Sequence, residues 1–397
     1  MSRNFDVSAE LAQDIAVLSN RARIAGGAAL ALCAVGAFVS PDQFLRSYLV
    51  GYLLVLGVVL GSLAILMLHQ LTGGSWGLVI RRVLEAATRT VPLMAVLFLP
   101  LALGVGRLYK WADRAVVSAD HLLQIKSAYL NVPFFMGRAV LYFGAWSLLA
   151  YLMNKFSAEQ DAVGAHPASD KLQKLAGPGL LVYGGTITFA AIDWIMSLDP
   201  HWSSTMLGIL VMGGQCVSAL AFVIAITVFL ARRKPMCDVI TPAHLHDLGK
   251  LMFAFVMLWA YFSFSQLLII WSANLPEEIP WYLRRFNHGW QWVGLTLIVF
   301  HFALPFVLLL SRDIKRDNRQ LTGIAIWLLI MRLTDLFFLV APEFSKDSFA
   351  FHWLDPMAPI GLGGIWLSYF LTQLKRRALM PVHDPNLEEA LEHEPAH

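Results

Sequence analysis

The feature that most constrains this chain is a series of ten mostly apolar stretches, each close to the length that crosses a lipid bilayer. A transmembrane α-helix needs about 20 mostly apolar residues. Of the 397 residues, 57% are hydrophobic and only 14% are charged, whereas soluble domains carry about 25% charged residues. The sequence therefore predicts an all-α polytopic membrane protein and excludes a soluble enzyme, a disordered protein and a nucleic-acid binder. The predicted spans cover residues 22–40, 48–69, 89–108, 134–154, 179–198, 207–230, 251–272, 290–310, 321–341 and 356–374.

The ten spans leave no room for a large soluble domain, so we expect one membrane domain at 22–380. Residues 1–21 form an N-terminal segment, and the acidic tail at 381–397 is expected to be disordered. An even number of spans places both ends on one side, and that side then holds 20 Lys and Arg residues against nine on the other. Because basic loops tend to stay in the cytoplasm, both termini are predicted to be cytoplasmic.

The cysteine and histidine residues provide no ligand set for a redox centre or a metal ion. Cys33, Cys216 and Cys237 form no CxxC pair, which excludes c-type haem attachment, an iron–sulfur ligand set and a zinc ribbon. A b-type haem commonly needs two histidines on facing helices at one depth, and only His301 lies deep within a span. We therefore expect no cofactor and no metal bound by this chain.

Polar residues inside lipid are costly, so they mark candidate sites. A rise of 1.5 Å per residue places His301 of span 8 and Arg332 of span 9 roughly 16 Å deep, near the midplane. Asp335 follows Arg332 at i+3 and shares its helix face. The three residues are compatible with a proton relay or a ligand anchor. The alternatives are an ion pair that fixes helix register and a histidine that hydrogen-bonds between helices.

Three more polar residues, Asp193, Gln215 and Gln266, fall in the half of the membrane away from the termini. Asp193 and Gln266 each lie roughly 9 Å below that surface, where a carboxylate could take up a proton and release it outward. The alternatives are helix capping by Asp193 and helix-packing hydrogen bonds by the two glutamines. His69, at the cytoplasmic end of span 2, is a further proton-transfer candidate, and its alternative is a solvated side chain.

The segment Asp-Pro-His-Trp follows span 5 on the outer side. We expect Asp199, His201 and Trp202 of this segment to contact a partner protein. The alternative is an Asp-Pro turn that only ends the helix.

Four runs of sequence resemble a known family of membrane subunits. They are residues 45–77, 81–93, 189–208 and 248–278, and they include the segments FAAIDWIMSLDPHW and LLIIWSANLPEE. Together they resemble the ActF-type membrane subunit of bacterial alternative complex III, a quinol:electron-acceptor oxidoreductase, within the wider NrfD/polysulfide-reductase-like family. The resemblance covers most of residues 45–375.

The resemblance implies ten transmembrane helices, with spans 2–5 and spans 6–9 as two four-helix bundles beside two peripheral helices. It implies a bacterial inner-membrane subunit without a redox centre, assembled with a sister NrfD-like membrane subunit, a periplasmic iron–sulfur subunit and multihaem cytochrome c subunits. In this family quinol binding near the outer face is associated with the sister subunit, and proton transfer is the other proposed role. The resemblance makes a quinone or quinol compatible with this chain, with Asp193 as the acceptor of a quinol proton. Three functions follow as hypotheses: a subunit of a quinol:cytochrome c oxidoreductase complex, a secondary transporter using the midplane charges, and a structural membrane anchor.

Overall fold

The computed structural model describes residues 5–163, 165–345 and 348–391, and in this part of the chain all regular secondary structure is helical. Short 3-10 turns follow several helices, and a π-helical segment covers Leu297–Ala303. The α-helices are α1 (Ala9–Val39), α2 (Pro41–Thr72), α3 (Ser75–Thr88), α4 (Val91–Leu97), α5 (Leu99–Leu103), α6 (Val105–Leu108), α7 (Arg114–Ala119), α8 (His121–Lys126), α9 (Val132–Val163), α10 (Ala165–Trp194), α11 (Leu207–Leu230), α12 (Pro242–Ala273), α13 (Ile279–Arg285), α14 (Trp290–Thr296), α15 (Leu304–Leu310), α16 (Arg312–Arg316), α17 (Asn318–Val340), α18 (Leu354–Leu374) and α19 (Leu387–Leu391).

Nine helical segments of the described residues are long and apolar enough to cross a membrane, so the chain is a multi-pass membrane protein. The tenth predicted span is present as α18, a helix of 21 residues that is less apolar than the nine. Its first turn carries Asp355, which is buried and accepts hydrogen bonds from Ser47 and Gln43 of α2. Contacts with α1 and α2 therefore shield the polar part of this helix from lipid.

Helix contacts confirm the two predicted four-helix bundles. The first comprises α2, the segment Ser75–Leu103, α9 and α10, and the second comprises α11, α12, the interrupted helix Trp290–Leu310 and α17. Helices α2 and α11 form the junction between the bundles, because 94% and 83% of their apolar windows are buried, against 22–50% in the other spans. Helices α1 and α18 pack against each other and against α2 at the periphery.

Small residues allow α2 and α11 to approach closely at this junction. A Cβ atom on Gly61 would overlap the backbone carbonyl of Gln215, and Gly57 contacts the side chain of the same glutamine. The spacing of the two glycines is therefore a small-xxx-small packing motif.

The third span begins earlier than the sequence predicts. The prediction was 89–108, but the helical segment that is long and apolar enough to cross a membrane runs from Ser75 to Leu103, and Arg81 and Arg82 lie within its first helix, α3. Both arginines are buried because Glu85 of the same helix pairs with each of them, at 3.0 and 2.7 Å. Charges that suggest a loop are thus compensated inside the bundle.

The two chain ends pack on one face of the membrane domain, which we call the termini face; the opposite face is the distal face. The backbone N–H of Leu379 donates to the carbonyl of Phe5 at 2.9 Å. The expectation of a disordered tail is wrong for residues 381–391. Asp384 pairs with the buried Arg81 at 2.7 Å, and the buried Ala390 has its carbonyl 3.0 Å from the ring of His244. The last six tail positions, 392–397, lie outside the described residues.

Candidate functional site

The three residues predicted at the midplane form one buried cluster in the second bundle. Asp335 pairs with Arg332 one turn earlier on α17, and its Oδ2 accepts a hydrogen bond from Trp259 Nε1 at 3.2 Å. The ring of His301 stacks on Trp259 with 4.0 Å between centroids. Trp259 therefore connects the histidine to the ion pair, and counting depth along the sequence did not identify it.

His301 is fully buried, and neither ring nitrogen has a hydrogen-bond partner among the described residues. The structure therefore does not support the alternative of a histidine that hydrogen-bonds between helices. A buried polar group without a partner costs about 1–3 kcal/mol. Such a group needs an explanation in a native structure, and a chemical role is one of them.

A π-helical segment positions His301 against Trp259. Leu304 donates its N–H to the carbonyl of Val299, one residue further back than in an α-helix. The next position in this register is Pro305, which has no N–H to donate to Phe300. Trp327 Nε1 of α17 donates to the Phe300 carbonyl instead, at 2.8 Å. Segments of π-helix occur frequently at functional sites.

The guanidinium of Arg332 lies against Gly214 of α11, where any side chain would overlap it. The ion pair is therefore enclosed by α11, α12 and α17 rather than by lipid. Removing one partner of such a buried pair costs about 3–5 kcal/mol, because the remaining charge has no compensation. The pair is consistent with both the relay and the register-fixing interpretation.

A cavity of about 290 Å³ lies near the distal face where the two bundles meet. Its walls come from the end of α10, the turn before α11 and the last turns of α12, and they are mostly apolar. Gln266 and Ser204 are polar groups in this wall, and the Ser204 hydroxyl donates to Gln266 Oε1 at 3.0 Å. Glu278, half-buried, adds a carboxylate. Depth predicted Gln266, whereas Glu278 was missed because it lies in a loop beyond the span.

Tyr282 of α13 interacts with Gln266, a lining residue of this cavity. Burial raises the pKa of the Tyr282 phenol to about 12, although Gln266 and the nearby Arg285 oppose the shift. The phenol therefore stays protonated at neutral pH.

Gln215 does not line the distal cavity. Its Oε1 accepts a hydrogen bond from the Tyr183 hydroxyl at 2.7 Å, deep between α10 and α11. With Gly57 and Gly61 of α2 against it, Gln215 joins three helices at the bundle junction. These contacts favour the packing interpretation over a quinone-site role.

Asp193 is fully buried but is not an isolated carboxylate. Arg138 of α9 donates to both of its oxygens at 2.8 Å, and the Tyr142 hydroxyl donates to Oδ2 at 2.8 Å. Sequence reasoning counted Arg138 among the outer loop charges, although it lies in the second turn of α9. The guanidinium also lies over the Tyr129 ring at 3.8 Å. This bidentate pair ties α9 to α10, so the capping alternative for Asp193 is replaced by an interhelical ion pair.

The predicted partner-contact residues Asp199 and Trp202 are buried within the chain itself. Asp199 pairs with Arg284, and Trp202 stacks on Trp281 with centroids 4.7 Å apart. Helix α13 therefore covers these two side chains within the chain, and contact of this segment with a partner stays a prediction. His201 alone of the three is exposed.

Helix α13, which covers Asp199 and Trp202, is held in place by ion pairs that sequence reasoning missed. Arg284 and Arg285 both pair with Glu343 at the end of the ninth span. Burial lowers the pKa of Arg285 to about 10, with Glu343 opposing the shift. Because the guanidinium stays charged at neutral pH, the network fixes α13 over the distal end of the second bundle. The sequence signal that could have identified this network is the adjacent pair Arg284 and Arg285, which follows the seventh apolar span.

His69 is buried rather than solvated. Its Nε2 lies 3.1 Å from the carbonyl of Gly74, and its ring meets the edge of Trp76. It lines a polar cavity of about 250 Å³ at the termini face together with Asp384 of the tail. His69 therefore remains a proton-transfer candidate with access to a polar space.

No protein-family model matches the chain, and a search of curated proteins finds no relative. The function must be argued from the sites themselves. The distal cavity can hold a small, mostly apolar molecule with hydroxyl groups, and the midplane cluster can hold or pass a proton.

Proposed function

We propose that this chain is an integral membrane subunit of a quinol:electron-acceptor oxidoreductase complex, and that the distal cavity receives the quinol ring. The observation that carries the proposal is an apolar cavity at the bundle junction with an amide, a hydroxyl and a carboxylate in its wall. Small-molecule sites typically combine an apolar lining with a few such polar groups. A quinol has an apolar ring and tail and two hydroxyl groups, so it matches this lining. The resemblance to ActF-type subunits supports the same class.

Oxidation of a quinol to a quinone releases two protons and two electrons. In this proposal Gln266 and Ser204 orient the hydroxyl groups, and Glu278 accepts the two protons in turn as general base, releasing the first to solvent before it takes the second. Glu278 lies in the distal loop after α12, so both protons leave toward the distal side. The electrons pass to a redox centre in a partner, for which the resemblance implies an iron–sulfur subunit and multihaem cytochrome c subunits beside a sister membrane subunit.

The proposal places the termini face in the cytoplasm of a bacterium and the distal face in the periplasm. The excess of Lys and Arg on the termini side supports this orientation. Leaving out the buried Arg81 and Arg82 on that side, and Arg138 on the other, does not change the direction of the excess.

The experiment is quinol oxidation by membranes that carry the assembled complex with single substitutions. Glu278→Gln should lower turnover about 10²-fold, which is the lower end of the contribution of a general base. Gln266→Leu should mainly raise the KM for quinol. Glu277→Gln is the matched control, because Glu277 is exposed and does not line the cavity. Turnover of Glu278→Gln equal to that of the control would contradict the proposal.

The midplane cluster favours a second candidate function, secondary transport. An unpartnered buried histidine, an ion pair and an interrupted helix near the midplane are typical of transporter coupling sites. The chain alone in liposomes would then carry protons or a solute, and His301→Phe would abolish the flux. In the quinol complex the same cluster would serve proton transfer, and the chain alone would carry no flux.

A further inference from the structure

An open groove on the second bundle lies between α15 and α17, in the half of the membrane nearer the termini face. Its volume is about 340 Å³. The lining is mostly apolar, formed by Leu304, Pro305, Leu308, Gln320, Ile324 and Trp327. It is separate from the distal cavity and from the midplane cluster.

The interrupted helix explains why this groove stays open. Helix α17 packs against the π-helical segment, whereas α15, beyond Pro305, packs against α12. The bond from Trp327 Nε1 to the Phe300 carbonyl joins the two helices at the deep end. Nearer the surface, a Cβ atom on Gly323 would meet nothing within 4 Å.

The groove has the length of part of an acyl chain. Gln320, at the end of the groove nearest the termini face, and Trp327, at the end nearest the midplane, are seven residues apart on α17. This spacing corresponds to roughly 10 Å. One leaflet of the hydrocarbon core is about 15 Å thick. The groove thus runs from the membrane surface most of the way toward the midplane.

The basic connection between α15 and α17 borders the end of the groove nearest the termini face. Residues 312–319 contain four basic and two acidic side chains, namely Arg312, Lys315, Arg316 and Arg319 against Asp313 and Asp317. Lys315 is buried against α12, and Asp317 caps α17 by accepting the N–H of Gln320 at 2.7 Å. Arg316 has a buried Nε without a hydrogen-bond partner, and Arg319 is exposed. Arg319 directly precedes the lining residue Gln320, and Arg316 follows the lining residue Ile314 by two positions.

We propose that an anionic phospholipid binds here, with one acyl chain along Gly323 and Trp327 and its phosphate beside Arg316 and Arg319. A guanidinium donates parallel hydrogen bonds to phosphate oxygens and adds charge attraction. Basic pockets next to transmembrane helices on one side of the membrane are typical sites of anionic lipid headgroups. Charge therefore selects an anionic lipid over a neutral lipid with the same acyl chains.

The test is native mass spectrometry of the full chain, delipidated in detergent and titrated with cardiolipin or with phosphatidylcholine of the same acyl chains. Wild type should bind one cardiolipin at least about fivefold more tightly than phosphatidylcholine. Each arginine contributes about fivefold near a membrane surface, so Arg316→Gln with Arg319→Gln should abolish the preference. Arg232→Gln, an exposed arginine at the end of α11, is the control for charge on the same face.

A second variant tests the acyl part of the site without removing charge. Gly323→Leu should fill the groove and weaken cardiolipin binding, while Gly363→Leu, at a glycine of α18 that is equally free of neighbours, should not. Equal affinity for the two lipids would overturn the proposal. Equal effects of Arg232→Gln and the double arginine variant on the preference for cardiolipin would also overturn it. So would a photocrosslinker at position 323 of the assembled complex that attaches to a partner protein instead of to lipid.

Discussion

Removing the charge of Asp335 should destabilise the protein strongly, and removing both charges of the pair should not. In Asp335→Asn the guanidinium of Arg332 keeps its charge while it is only 2% exposed and lies against Gly214. The cost of such an uncompensated buried charge is about 3–5 kcal/mol, which lowers the ratio of folded to unfolded protein about 10²–10⁴-fold. Arg332→Gln combined with Asp335→Asn removes both charges and should recover most of this loss.

The assay is thermal unfolding of the purified protein in detergent, together with the amount of subunit in membranes. Thr334→Val serves as the control, since Thr334 lies on the same helix and bonds only to a backbone carbonyl one turn back. A stability of Asp335→Asn within about 1 kcal/mol of wild type would refute the burial argument. If the double variant stays as unstable as the single one, the loss comes from packing rather than from charge.

The same variants separate the two interpretations of the midplane cluster. A register-fixing pair predicts that the double variant regains turnover in the assembled complex along with stability. A relay predicts that the double variant assembles but that proton release per electron or turnover stays low.

Three further predictions address the other contacts. Tyr142→Phe should lower stability by about 1.5–3 kcal/mol, because it removes a hydrogen bond to the buried carboxylate of Asp193; an unchanged unfolding temperature would contradict a stabilising role of that hydrogen bond. Gly61→Val should cost at least about 1–3 kcal/mol by forcing α2 from α11, whereas Gly363→Val should be neutral in the same thermal assay. Asp384→Asn should make the tail sensitive to protease added from the termini side. Glu389→Gln is the control, because Glu389 is an exposed tail residue. Equal protection of the tail in both variants would show that the ion pair does not hold it.

Hydropathy predicts most of the fold because helices are the main way for a chain to satisfy its backbone in lipid. The third span was misplaced because Arg81 and Arg82 look like loop residues when read alone. Glu85 compensates them locally, but Ser157 and Asp161, which also accept their hydrogen bonds, lie on α9 about 75 residues later. The order of the tail has the same origin, since a partner for Asp384 is visible only in three dimensions.

Depth along each helix predicts part of the candidate site. It places His301 and Arg332 at one level with Asp335 one turn further along the face of Arg332, and the structure brings the three together through Trp259. Depth does not show what a side chain faces, so it missed the partnership of Asp193 with an arginine of another helix. Residues outside the spans, such as Glu278, also escape a search that is restricted to membrane depth.

The most direct test of the central claim is photolabelling of the assembled complex with an azido-quinone, followed by peptide mapping. The proposed function predicts labels on two segments that line the distal cavity, 203–206 and 266–278. Excess quinol should prevent the labels, and Gln266→Leu should weaken them. Labels that appear only on a partner subunit, or on this chain away from both segments, would contradict a quinol site in this cavity.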